Sequence, residues 1–159
     1  MPELPEVETV RRAMDRHLVG RRITEVSVRR TRLRQPLPVG RLRELAGQTV
    51  VAARRRAKYL LLDLDSGSTL LIHLGMTGNL LFGPGGDKHD HLVFHLDRGP
   101  ALVYRDPRRF GLVLVLETAE LAASPHLAGL GPEPLEPGFD AAYLGQQCRG
   151  RDRPIKALL

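Results

Sequence analysis

Cysteine is almost missing from this chain, which has only Cys148. No disulfide can form within it and no multi-cysteine zinc site is possible. A lone cysteine is expected to serve as a small buried hydrophobe. Long apolar runs are missing too, so nothing reads as a membrane span. The charged, polar N-terminus does not read as a signal peptide, and a cytoplasmic protein is expected. Aromatic residues make up only 4% of the chain, so one spent in a charged loop is informative. Lysine is scarce as well, limited to Lys58, Lys88 and Lys156. Arginine therefore supplies nearly all of the positive charge, and the 24 basic residues outnumber the 18 acidic ones for a net charge of +6. An arginine-rich surface suits phosphate, which a guanidinium grips with two parallel hydrogen bonds. A GC-rich genome would explain arginine over lysine but not the excess charge, so nucleic acid is favoured over an acidic protein partner. No repeat or low-complexity tract is present. The 159 residues suffice for one domain with a core, or one domain and the beginning of another.

What is present begins at the first residues, Met1-Pro2-Glu3-Leu4-Pro5-Glu6. A small second residue usually allows removal of the initiator methionine, which would leave Pro2 as a free secondary amine. An α-amino group titrates near ~8, so a useful fraction is nucleophilic at neutral pH. A secondary amine that condenses with an aldehyde gives an iminium ion with no N–H proton to lose. Glu3 and Glu6 are candidate proton shuttles beside it. Proline and glutamate also suit the first turn of a helix for structural reasons alone.

Val7, Val10, Met14 and Leu18 recur at helical spacing, which predicts a helix from Pro5 to Leu18 stopped near Gly20. A strand is predicted over Ile23–Val28, then an arginine-rich loop through Pro38 and a short helix over Arg41–Ala46. Short apolar or β-branched runs predict strands at Thr49–Arg54, Tyr59–Leu64, Thr69–His73, Leu80–Phe82, Leu92–Leu96, Ala101–Tyr104 and Leu112–Leu116. Glycine, proline and aspartate turns separate them. The pattern predicts a mainly β protein with flanking helices, an antiparallel two-sheet sandwich. Ser124–Gly138 reads as an irregular linker and Asp140–Cys148 as a short helix. The apolar Leu158-Leu159 ending reads as a cut through an element that would continue.

Four further segments carry candidate chemistry. In Arg54-Arg55-Arg56-Ala57-Lys58-Tyr59 a lone lysine enters an apolar strand after three arginines. That suits a proton carrier or a phosphate contact; a solvated basic strand end is the plain alternative. In His73-Leu74-Gly75-Met76-Thr77-Gly78 a glycine-flanked turn presents a methionine, either as a wedge into a base stack or folded into the core. Tyr104-Arg105-Asp106-Pro107-Arg108-Arg109-Phe110-Gly111 sets two guanidinium groups and a ring on a strand connection. Such a pair can replace an extruded nucleotide, or it is a tight turn with Asp106 pairing an arginine. Lys88-His89-Asp90-His91 is short of a third metal ligand and reads better as a phosphate or structural contact.

Together with Leu130-Gly131-Pro132-Glu133-Pro134-Leu135, these segments occur in an order that resembles the bacterial formamidopyrimidine-DNA glycosylases. Leu4 and the Val7-Glu8-Thr9 continuation favour the oxidised-purine branch over the related endonuclease VIII branch. The resemblance implies a base-excision-repair DNA glycosylase with abasic-site lyase activity, working on 8-oxoguanine and formamidopyrimidines. It implies that Pro2 attacks C1′ of the damaged nucleoside, that Glu3 is the principal acid/base group, that Glu6 assists, and that Lys58 contacts phosphate and aids proton transfer during elimination. Met76, Arg108 and Phe110 match the residues that fill the gap left by the flipped base, with Arg108 facing the opposite cytosine. His89 and Arg151 match backbone-contact positions. The implied partner is double-stranded DNA with an oxidised purine or an abasic site, met by a monomer near the bacterial nucleoid and not at a membrane.

The expected domains are a catalytic sandwich over 1–135 and, over 136–159, a linker, a short helix and the start of a helix-two-turn-helix domain. Family members continue into that domain and a four-cysteine zinc ribbon with another catalytic arginine. No cofactor is therefore expected in this chain, because the family's structural zinc belongs to the ribbon. A chain cut here is expected to have reduced or no autonomous activity. Two alternatives stand beside this: an inactive fragment that binds DNA, and an N-terminal-proline tautomerase. The basic charge, the many strands and the wedge-like loops argue against the second.

Overall fold

A computed structural model describes residues 2–158 of the chain. It divides into two compact units, one ending at Ala122 and the other starting at Ala123. The first unit opens with α1 (Leu4–His17), whose Val7 and Met14 are buried as the spacing predicts. Next come β1 (Ile23–Val28) and α2 (Val39–Arg43). The second helix starts two residues before its predicted position, because Pro38 sits at its N-cap and Leu42 is the residue it buries. Then follow β2 (Val50–Arg56), β3 (Tyr59–Leu64), β4 (Ser68–His73), β5 (Asn79–Phe82), β6 (Asp90–Leu96), β7 (Leu102–Arg105) and β8 (Leu112–Glu117). A 3₁₀ turn over Thr118–Ala123 closes this part of the chain.

The strands form two antiparallel sheets of four, in the orders β1-β6-β7-β5 and β2-β3-β4-β8. The predicted two-sheet architecture is therefore what forms. One continuous apolar cluster joins the sheets, with Leu60, Leu62, Leu70, Ile72 and Val113 from one and Leu92, Phe94, Leu102 and Tyr104 from the other. Each such side chain contributes about 1.5–3 kcal/mol of burial. Leu61 and Leu71 point to the opposite face by strand alternation and are buried as well. That explains why β3 and β4 read as unbroken apolar runs rather than alternating ones.

Both links between β4 and β5 and between β7 and β8 cross from one sheet to the other. These links are the Met76 turn and the Arg108–Phe110 turn. The register then brings them to one end of the second sheet. Arg56 pairs with Tyr59, Tyr59 with His73, and His73 with Leu112. The β2–β3 turn, the end of β4 and the start of β8 therefore share a single rim.

The second unit contains α3 (Ala141–Cys148), capped by the Asp140 side chain accepting from the Tyr143 amide, and α4 (Ile155–Leu158). Cys148 is half-buried, and α3 buries no residue fully, so the cysteine is less enclosed than expected. Among the described residues no helix is long and apolar enough to cross a membrane.

Candidate active site and its flanking loops

The N-terminal segment is held over the β2–β3 hairpin by charge. The Glu6 carboxylate folds back to accept the Glu3 backbone N–H at 2.9 Å, which fixes the first turn of α1. One turn on, Glu8 accepts from Arg11 on its own helix and from Arg55 on β2, the latter at 2.9 Å. Arg12 adds a third guanidinium to the same carboxylate. Arg11 also donates to the Ala53 carbonyl at 3.3 Å. Helix and hairpin are thus clamped around one carboxylate, and the hydrogen bond from Arg11, then those from Arg55 and Arg12, hold its pKa down at about 2 despite some burial.

A pH consequence follows for stability. A carboxyl lowered from 4.5 to about 2 adds stability that is fully present above pH 4.5 and disappears as the pH falls through about 2. Glu8→Gln should cost about 2 kcal/mol at pH 7, as expected for hydrogen bonds to a charged group. The gap between parent and variant in urea-unfolding free energy should close as the pH is lowered towards 2. A gap that is the same at pH 7 and pH 3 would show that the charge is not what holds α1 to β2.

The clamp delivers Glu3 to Lys58. The Lys58 ammonium lies 2.8 Å from Glu3 Oε2, with about a third of each side chain exposed. Lys58 sits in the tight β2–β3 turn beside Ala57, whose φ of 50° is uncommon for a residue with a Cβ. Pro2 precedes Glu3 and is half-buried. The geometry therefore brings Glu3, Glu6 and Lys58 together at the first turn of α1, with Pro2 next to Glu3 in the chain, although Lys58 is more than fifty positions away in sequence. The three arginines before Lys58 are not one solvated run. Arg54 pairs outward with Asp63 at 2.6 Å, while Arg55 turns to Glu8.

Beside this centre the rim carries two exposed apolar side chains. Met76 is 40% exposed and Phe110 is 45% exposed, so the alternative in which Met76 folds into the core does not hold. Arg108 lies over the Phe110 ring, its guanidinium carbon 4.9 Å from the ring centroid. The turn that carries them holds Asp106, which in sequence is only a candidate turn carboxylate. Asp106 is fully buried and accepts from the Thr77 hydroxyl at 2.7 Å, the Tyr104 hydroxyl at 2.9 Å and the Gly111 amide at 2.9 Å. It also accepts from the Arg109 amide at 3.1 Å. The tight turn forms, but on backbone amides and hydroxyls. Burial, then the Asp106 charge, pushes the Tyr104 phenol far up, so it stays a neutral donor.

Lys88-His89-Asp90-His91 divides into unlike parts, because β6 begins at Asp90, two residues before its predicted start. Asp90 is buried and paired with Arg105 at 2.6 Å, which holds its carboxyl below the usual range. His91 is buried with its Nε2 2.6 Å from the Asp106 carbonyl. His89 is half-buried, and its own carbonyl accepts the Asp106 amide at 3.0 Å. The segment thus buttresses the Phe110 turn from the other sheet. Next to it a cleft of about 630 Å³ is lined by Arg29, Arg30, Arg32, Lys88 and Arg109, together with Asp87 and Asp90. Arg29, Arg30 and Arg32 belong to the arginine-rich loop after β1, whose charge density is their only signal in the sequence. Arg151 is exposed and lies in the second unit, its amide bonded to the Cys148 carbonyl at 3.3 Å.

Residues 1–113 match the model of the formamidopyrimidine-DNA glycosylase N-terminal domain. The chain is 47% identical to formamidopyrimidine-DNA glycosylase of Dinoroseobacter shibae, over all of this chain and 60% of the relative. It is 51% identical to the protein of that name from Stenotrophomonas maltophilia, over all of this chain and 59% of the relative. The chain thus spans about three fifths of the length of the curated relatives it matches. Among solved structures, the Lactococcus lactis protein in complex with DNA containing an abasic site superposes with a TM-score of 0.88 at 30% identity, covering 98% of this chain and 59% of that one. A complex with DNA containing carbocyclic 8-oxo-G superposes with a TM-score of 0.81 at 31% identity, covering 92% and 56%.

Proposed function

The chain belongs to the formamidopyrimidine-DNA glycosylase family, and on that premise we propose that it acts in base-excision repair as a DNA glycosylase and abasic-site lyase for oxidised purines. The ion pair between Glu3 and Lys58, set beside Pro2, carries this conclusion. In the proposed reaction the Pro2 nitrogen attacks C1′ of the damaged nucleoside and the base leaves with the C1′–N bond electrons. Opening of the sugar ring gives an iminium ion between Pro2 and C1′. Glu3 supplies and removes protons at the sugar, and Glu6 holds the turn that aims the amine. Lys58 meets the adjacent phosphate and takes part in proton transfer when the phosphate is eliminated. The substrate is duplex DNA in a bacterial cytoplasm. Met76, Arg108 and Phe110 occupy the space of the extruded nucleotide, with Arg108 toward the opposite cytosine. His89, Arg151 and the arginine-lined cleft track the backbone. No cofactor takes part within this chain.

Borohydride trapping tests the proposal directly. Abasic-site duplex and protein in excess, at low salt, should give a covalent protein–DNA adduct that peptide mapping places on Pro2. An adduct on Lys58, with Pro2→Gly trapping as well as the parent, would overturn the assignment of the nucleophile. No adduct at any protein concentration would favour a chain that binds DNA without chemistry.

A further inference from the structure

Resting on that reading, we propose that Thr77 and Asp106 couple the two exposed loops, so that Met76 and the Arg108–Phe110 pair enter DNA as one unit. Neither residue touches DNA in this scheme; both are positioning residues. Three contacts join the loops. The Thr77 hydroxyl donates to Asp106 Oδ1 at 2.7 Å, and the Thr77 hydroxyl oxygen itself accepts the Arg108 amide at 3.1 Å. Asp106 in turn takes the amides of Arg109 and Gly111, so both sides of the Phe110 turn hang from it. The third contact is steric. Gly75, at φ +62°, lies so close to the Phe110 carbonyl that an added Cβ would come within 2.6 Å of it.

The cluster is placed to be rigid. Asp106 has no exposed surface, and its backbone is pinned on both sides, its amide to the His89 carbonyl and its carbonyl to His91. Arg109 holds a φ of 59°, which a residue with a Cβ keeps only where its surroundings impose it. Two loops that connect different strand pairs thus share one buried carboxylate. Side chains that share one network are expected to be energetically coupled.

Asp106 itself is too deeply buried to be a clean probe, so the test uses Thr77→Val, which keeps the shape and removes the hydroxyl. The quantity measured is the ratio of affinity for a duplex with a reduced abasic site to affinity for the intact duplex. A double-mutant cycle of Met76→Ala and Phe110→Ala should show coupling of about threefold or more in the parent. In the Thr77→Val background the coupling should fall to about onefold, and Thr77→Ser should restore it. Hydrogen exchange at the Arg108 and Arg109 amides should quicken in Thr77→Val and slow again in Thr77→Ser. Undiminished coupling in Thr77→Val, or coupling of about onefold in a parent that prefers the abasic duplex and gives the Pro2 adduct, would overturn the proposal. A parent with neither adduct nor preference would overturn the glycosylase–lyase reading first, and the positioning role with it.

Discussion

Glu3→Gln should slow strand cleavage of abasic-site DNA by about 10²–10⁴-fold, the usual range for loss of a general acid or base. The substitution keeps size and hydrogen bonding but removes the proton-transfer capacity and the charge that faces Lys58 at 2.8 Å. Two roles are then distinguishable. If Glu3 moves protons, the single-turnover rate under protein excess falls while affinity for the duplex stays within about threefold. If Glu3 only anchors Lys58, then Lys58→Met should reproduce the loss, and the double variant should be no worse than either single one. A slower single variant with unchanged far-UV circular dichroism places the effect in the chemistry, because α1 is held by Glu8 and Glu6 and not by Glu3 alone. A rate within threefold of the parent would remove Glu3 from the acid/base role.

The architecture was legible wherever burial repeats with a fixed period. The Val7 and Met14 stripe gave α1, and turn residues gave the strand boundaries to within a residue or two. Where period and chemistry conflict, element boundaries are less legible. Asp90 and His91 look like loop polar residues, yet they start β6, because Arg105 pairs with Asp90 and the Asp106 carbonyl meets Nε2 of His91 inside the protein. The predicted helix over Arg41–Ala46 instead runs over Val39–Arg43, where the local signal is Pro38 before Leu42.

Side chains of the site were legible through order and identity, not through contact. Pro2, Glu3 and Lys58 stand out in the sequence as a candidate nucleophile with candidate proton carriers, but the Glu3–Lys58 contact depends on how Glu8 and Arg11 hold the helix to the hairpin. Thr77 and Asp106 are separated by 29 positions, and each is an ordinary turn residue in its own segment. Nothing in either segment signals the other. Their pairing depends on two sheet-to-sheet crossings ending at the same rim, and that is a property of topology.

The same rim makes the second large effect specific to damage. Phe110→Ala and Arg108→Ala should weaken binding to a duplex with an extruded or missing base far more than binding to intact duplex. In intact duplex there is no gap for a ring to fill, and these residues contribute little beyond one charge. In gapped duplex the Phe110 ring is expected to replace a stacked base, worth about 1–3 kcal/mol by analogy with single-strand binders. The energy is available because the ring is already out of the core, 45% exposed, with Arg108 stacked on it. Arg108 should also bring donors to the base left without a partner. Cytosine offers acceptors on that edge, so Arg108→Ala should selectively reduce the preference for cytosine opposite the lesion. Neutralising Arg30 and Arg32 in the cleft should do the reverse. It should weaken both duplexes alike and flatten the dependence of log affinity on log salt, since fewer counterions are released. The measurement is a salt titration of affinity for matched gapped and intact duplexes carrying each of the four opposite bases. Equal losses on both duplexes for Phe110→Ala and Arg108→Ala, with opposite-base preference unchanged, would reduce these residues to members of the basic surface.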